Sequence, residues 1–158
     1  MVNPRNKGSA YERDVRVRLE DELGLKFERV LAQWREAELP DLLCEDDAFP
    51  FVIECKRYQK TSAFADPRWW DQACAAAAKA GKMPALVYKG DRLEERWRVP
   101  IEAMAMLATY TPAMDKFEKY DWRFACEMSF MEFCMICREL LANSQCEADA
   151  IRQFKAKE

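Results

Sequence analysis

The chain has 158 residues, with 25 Lys+Arg against 28 Asp+Glu and a formal net charge of −3. That length fits one domain and buries enough surface to fold without a disulfide or metal staple, and the balance of half apolar and one-third charged residues excludes wholesale disorder. There is no histidine, which excludes Ser-His-Asp and Cys-His catalysis, His-ligated zinc and a histidine general base.

In chain order, residues 1–8 read as a polar, basic arm. The opening Met-Val-Asn-Pro-Arg-Asn-Lys-Gly lacks the apolar stretch of a signal peptide. Tyr11, Val15, Leu19 and Leu23 recur every fourth residue, which predicts a helix over 9–23 stopped by Gly24. Short strands are expected over 27–32 and 39–44, then a polar turn at Glu45-Asp46-Asp47. The strongest strand signal is 51–58, with Phe51, Ile53 and Cys55 on one face and Val52, Glu54, Lys56 and Tyr58 on the other. Asp66-Pro67 reads as the N-cap and first position of a helix. Its run of small residues, Ala73 to Ala78, suits close packing on a sheet, and Gly81 ends it.

Residues 84–89 form another apolar strand. Residues 97–101 read as an edge strand because of Pro100, and 102–108 as a short helix or turn in which Met104 and Met106 help cover the core. Thr111-Pro112 marks the boundary between a core over 1–110 and a mainly helical C-terminal extension over 111–158. Within that extension, 122–126 is a possible strand, and Ser129-x-x-Glu132 is a capping box ahead of a helical stripe from Phe130 to Leu141. The Cys134-x-x-Cys137 pair falls on that stripe and reads as core. The element order points to an α/β architecture, a mixed sheet flanked by helices.

No run of about 18 apolar residues is present, so no membrane helix is expected. The seven cysteines have irregular spacing and point to free thiols in a reducing cytosol. Charge is unevenly spread. Residues 41–50 hold four acids and no base, whereas 51–100 hold ten bases and six acids.

The informative stretch is Pro40-Asp41 followed by Glu54-Cys55-Lys56. Glu54 and Lys56, two apart on a strand, share a face. A hairpin through the acidic turn brings Asp41 opposite them. Two converging carboxylates are stable together around a divalent cation, and oxygen ligands favour Mg²⁺ or Mn²⁺. A nearby lysine positions or helps deprotonate a water and offsets charge on a phosphate. Asp46 and Asp47 are rivals for Asp41 but fall in the turn. The plain alternative is an exposed hairpin of alternating charges.

These residues resemble the PD-(D/E)-x-K nuclease signature. Two further elements are similar to the branch that includes archaeal-type Holliday junction resolvases. One is Lys7-Gly8-Ser9-Ala10-Tyr11-Glu12-Arg13 at the head of the first helix. The other is Trp69-Trp70-Asp71-Gln72-Ala73 in the helix after the lysine, followed by Gly81 and the strand Pro84-Ala85-Leu86-Val87-Tyr88. The resemblance covers residues 5–101.

It implies a restriction-endonuclease-like fold and a Mg²⁺- or Mn²⁺-dependent DNA endonuclease, structure-specific and active as a homodimer on branched DNA, in the cytoplasm of a bacterial or phage-infected cell. Glu12, Asp41 and Glu54 would hold metal, with the Cys55 carbonyl as a further ligand. Lys56 would act on the attacking water, and Gln72 would orient Lys56 or that water. Lys7, Arg13, Arg57, Lys60, Lys79, Lys82 and Lys89 are candidate DNA phosphate contacts. Trp69 and Trp70 are candidates for stacking on bases, although neighbours about 100° apart on a helix cannot share one core slot. Other DNA substrates (duplex ends, flaps) and a non-catalytic nucleic-acid-binding role on the same scaffold stay open as alternatives.

Overall fold

The first helix, α1, runs over Pro4–Leu23. The stretch read as a polar arm is therefore helical from Pro4 onward, because proline suits a first helical turn and the residues after it are mostly tolerant of helix. The structure is a computed structural model, and it describes residues 4–30, 39–59, 65–107 and 121–155. The expected break at Thr111-Pro112 and the candidate Lys60 lie outside the described residues.

After α1 come β1 (Phe27–Arg29), β2 (Leu42–Cys44), β3 (Phe51–Arg57), α2 (Pro67–Ala80), β4 (Met83–Lys89), β5 (Arg96–Pro100), α3 (Ile101–Leu107), β6 (Ala125–Met128) and α4 (Phe130–Lys155). The six strands form one mixed sheet whose spatial order is their chain order. All neighbours are antiparallel except β3 and β4, which run parallel with Phe51 beside Met83 and Arg57 beside Lys89. A parallel pair needs a crossover, and α2 supplies it.

Alternation along the strands builds two apolar layers. On one face, Phe51, Ile53, Cys55, Ala85, Val87, Trp97 and Val99 pack against Tyr11, Val15 and Leu19 of α1 and Phe133, Cys134, Ile136, Cys137 and Leu140 of α4. Trp97 stacks on Phe133 with ring centroids 4.2 Å apart. On the other face, Leu86 and Tyr88 meet Trp70 and Ala73, while Val52 meets Ala76 and Ala77. The small side chains of α2 let it lie close to the sheet, as its composition suggested.

The caps of α2 follow the sequence reading. Asp66 accepts from the Arg68 N–H at 3.0 Å, and Gly81 takes the left-handed conformation at φ +66°. The Ser129/Glu132 capping box also forms, with the Ser129 N–H and hydroxyl donating to Glu132 at 2.7 and 2.8 Å.

Three expectations are corrected. The strand carrying Pro100 is internal, since β6 pairs beside it with Pro100 opposite Ala125; a proline at the last position of a strand disturbs little of the ladder. Residues 122–124 form a single 3₁₀ turn before β6, with the Asp121 side chain accepting from the Arg123 N–H. Met104 and Met106 are exposed, and it is Ala103 that faces the core from α3. A seven-residue helix has room for only one narrow buried stripe.

Candidate active site

The β2–β3 hairpin positions Asp41 next to β3. Leu42 lies opposite Ile53, and the Asp41 N–H donates to the Ile53 carbonyl at 3.0 Å. Asp41 and Glu54 are both buried, each 7% exposed. An Asp41 carboxylate oxygen accepts from the Cys55 N–H at 2.7 Å. Glu54 Oε1 accepts from Lys56 Nζ at 2.6 Å. The lysine stays half-buried at the solvent edge.

Burial is the main cause that pushes the Glu54 carboxyl up to about 7, and the charge of Asp41 adds to it. Lys56 works against both and does not cancel them. The pocket therefore carries more negative charge than its one ammonium balances, and a divalent cation would relieve that excess. Among the described residues no three Asp, Glu or Cys side chains gather as a ready ligand cluster. The donor set still fits Mg²⁺ or Mn²⁺, because Mg²⁺ keeps several waters and is commonly held by one or two carboxylates. Asp41 and Glu54 would be those carboxylates.

Glu12 is directed elsewhere. Its carboxylate pairs with the Arg29 guanidinium on β1, which also donates to Ser9 Oγ at 2.9 Å. Its charge nevertheless reaches the site, adding a small upward push on Glu54. Gln72 is exposed on α2, and among the described residues it makes no hydrogen bond to Lys56. The Cys55 side chain is buried in the core, and burial pushes its thiol up, so only its main chain is available as a ligand.

The proposed phosphate contacts divide into occupied and open cations. Lys7 and Arg57 both bind Asp91, at 2.5 and 2.6 Å, and Arg57 also donates to the Lys89 carbonyl at 2.8 Å. Lys82 donates to the carbonyls of Asp47 and Phe49. Arg13 is exposed on α1 and lines a shallow groove of about 610 Å³ with Arg16, Lys26 and Arg29. Lys79 is exposed at the end of α2, and Lys89 is half-buried at the end of β4. Neither tryptophan stands free for stacking on a duplex. Trp70 is buried beneath the Arg98 guanidinium, and Trp69 packs on Tyr58 and Tyr88.

Two acidic hubs escaped the sequence reading. Glu95 accepts from Tyr11 at 2.9 Å, from Arg18 at 2.7 and 3.0 Å and from the Trp97 indole at 2.9 Å. It thereby ties α1, and with it Glu12, to β5. Glu127 on β6 accepts from the Tyr88 hydroxyl at 2.6 Å and from Arg98 at 3.0 Å. Both join residues far apart in the chain, and no local spacing signals such a pairing.

Comparison with known proteins matches residues 3–151 to the family described as "Phage putative PDDEXK endonuclease". Among curated proteins none matches the chain. Among solved structures, the chain is similar to a Holliday junction resolvase, Hjc, from the archaeal hyperthermophile Archaeoglobus fulgidus, at 23% identity and a TM-score of 0.45 over 58% of this chain and 70% of that one. No helix among the described residues is long and apolar enough to cross a membrane. The mixed sheet covered by helices on both faces is an α/β arrangement. The family match spans nearly the whole chain and includes the β2–β3 hairpin with its two buried carboxylates and lysine, so the chain belongs to this PDDEXK endonuclease family.

Proposed function

We propose that the protein is a Mg²⁺- or Mn²⁺-dependent DNA endonuclease that hydrolyses phosphodiester bonds and acts, as a homodimer, on branched DNA. One observation carries the reading: Asp41 and Glu54 are buried side by side in charge terms, with Lys56 ion-paired to Glu54 at the solvent edge. Burying two carboxylates together costs free energy unless a cation balances their charge.

When bound, the ion supplies Lewis acidity and charge neutralisation at the phosphate. Asp41 and Glu54 would hold it, and the hydrogen bond from the Cys55 N–H fixes the Asp41 carboxylate in place. Lys56 orients the attacking water through its ammonium hydrogens and stabilises charge gathering on the phosphate oxygens. Glu12 would be a further ligand only if it exchanged its pairing with Arg29. A two-fold junction needs two matched cuts, which suits a symmetric dimer.

The test incubates the full chain with Mg²⁺ or Mn²⁺ and equal amounts of labelled four-way junction, linear duplex and single strand, beside Glu54→Ala and Lys56→Ala variants. Symmetric nicks in the junction, lost in both variants, are the expected result. Cutting of the other DNAs instead keeps the site and removes the junction preference. No metal-dependent cutting of any DNA overturns the reading in favour of a non-catalytic binding protein.

A further inference from the structure

The loop between β4 and β5 is fastened at both ends by carboxylates. Asp91 holds Lys7 and Arg57, and Glu95 holds Tyr11, Arg18 and Trp97. The residues between these anchors, Arg92, Leu93 and Glu94, line a pocket of about 280 Å³ together with Tyr58, Tyr88 and Arg96.

This pocket lies at the carboxyl ends of the parallel pair β3–β4, next to the candidate active site. Tyr88 is the register partner of Lys56. Tyr58 follows Lys56 by two positions, about 7 Å along an extended chain and on the same face. The Trp69 ring packs 5.0 Å from Tyr58 and 6.4 Å from the buried Tyr88, so these two rings brace Tyr58, the half-buried ring of the pocket.

The charges around it differ from those nearby. Lys7, Arg57 and Arg98 are engaged in ion pairs. Arg92 and Arg96 are exposed and make no ion pair among the described residues. Glu94 adds a carboxylate that can accept from an exocyclic amine.

A braced, half-buried tyrosine ring, one acceptor and two unengaged guanidiniums match the needs of a single nucleotide. The base offers a π face, its edge offers donors, and its phosphate offers charge. The volume lies near the lower end of small-ligand pockets, about 300 Å³, which suits one nucleotide and excludes a base pair. A base stacked within a duplex cannot present its face to this ring.

We propose that this pocket receives one nucleobase of the DNA strand, either unpaired or released from its pair at a branch point, adjacent to the phosphate at Lys56. The identity of the ligand as DNA rests on the nuclease reading above; the pocket itself rests on its own residues.

The experiment titrates the full chain in EDTA against a duplex with one unpaired 2-aminopurine and against the same duplex fully paired. The expected result is about tenfold tighter binding of the bulged DNA, the size of one base–aromatic stack, with quenching of its 2-aminopurine. Tyr58→Ala removes that preference and leaves paired-duplex affinity unchanged, whereas Tyr58→Phe retains it. Arg92→Gln/Arg96→Gln, at exposed positions that leave folding intact, also weakens binding of the bulged DNA.

Equal affinity for the two DNAs without quenching overturns the pocket assignment and leaves the nuclease reading in place. Binding to neither DNA also overturns the pocket assignment, while the nuclease reading stands or falls on the metal-dependent cleavage assay. A third arm uses deoxyadenosine monophosphate alone. If calorimetry shows it binding in a Tyr58-dependent way while the bulge is ignored, the occupant is a free nucleotide and the strand assignment is wrong.

Discussion

Glu95 shows how one side chain sets the stability of the region around the site. Burial alone would raise its carboxyl, but hydrogen bonds from Arg18, Trp97 and Tyr11, with the Arg18 charge, hold it below the usual glutamate value. A depressed folded-state value means that this stabilisation is present above the unfolded value of about 4.5 and is lost as pH falls through the lower folded one. Urea unfolding of the wild-type chain should therefore weaken as pH drops below about 4.5. Glu95→Gln should cost about 2–3 kcal/mol at neutral pH, because a charged acceptor is lost from a partly buried cluster, and should flatten that acid slope. An unchanged slope in the variant would remove Glu95 from this role. Residues of this kind were invisible in the sequence, because Tyr11 and Arg18 lie 84 and 77 positions away from Glu95. Asp41, Glu54 and Lys56 were legible for the opposite reason. A single hairpin joins them, so their spacing already encodes their neighbourhood.

At the scale of elements, two glycines of the same type do different jobs. Gly81 closes α2 at φ +66° with its N–H directed to the Ala77 and Ala78 carbonyls. Gly8 sits inside α1, and an added Cβ would meet nothing within 4 Å at either position. The difference is therefore conformational. Gly81→Ala should destabilise the chain by about 1 kcal/mol, because a left-handed residue with a Cβ is strained. Gly8→Ala should stabilise it by about 0.5–1 kcal/mol through helix propensity. Opposite shifts in the urea midpoint, with an unchanged m value, check both. Elements whose ends are set by local chemistry were readable in advance, as with the Asp66/Pro67 start of α2 and the Ser129/Glu132 box of α4. The internal position of β5 was not, because it depends on β6, which returns to the sheet only after residue 121.

The molecule as a whole carries −3 at neutral pH, and several of its cations are already committed to carboxylates or carbonyls. DNA binding must then rest on a small set of uncommitted bases, among them Arg13, Arg92 and Arg96. If about four phosphates are contacted, affinity should fall about a hundredfold between 50 and 200 mM salt, by counterion release. Fluorescence anisotropy across that range measures the slope, and a flat response would refute the phosphate assignments. Sequence patterning gave the helices and the alternating strands, but which face each helix covers follows from long-range packing. So the placement of α1 and α4 on one layer and α2 on the other emerged only in three dimensions.

Because the spatial order of the strands repeats their order in the chain, growth from the ribosome never asks a new strand to insert between two that are already paired. Each strand arrives at an edge that its predecessor has provided, with α2 between β3 and β4 and α3 between β5 and β6. Until α4 emerges, however, Trp97 lacks the Phe133 ring that stacks on it. The nascent sheet thus carries an apolar layer shielded by α1 alone for the whole interval between the synthesis of β5 and that of the final helix, and this is the span in which a chaperone would find it.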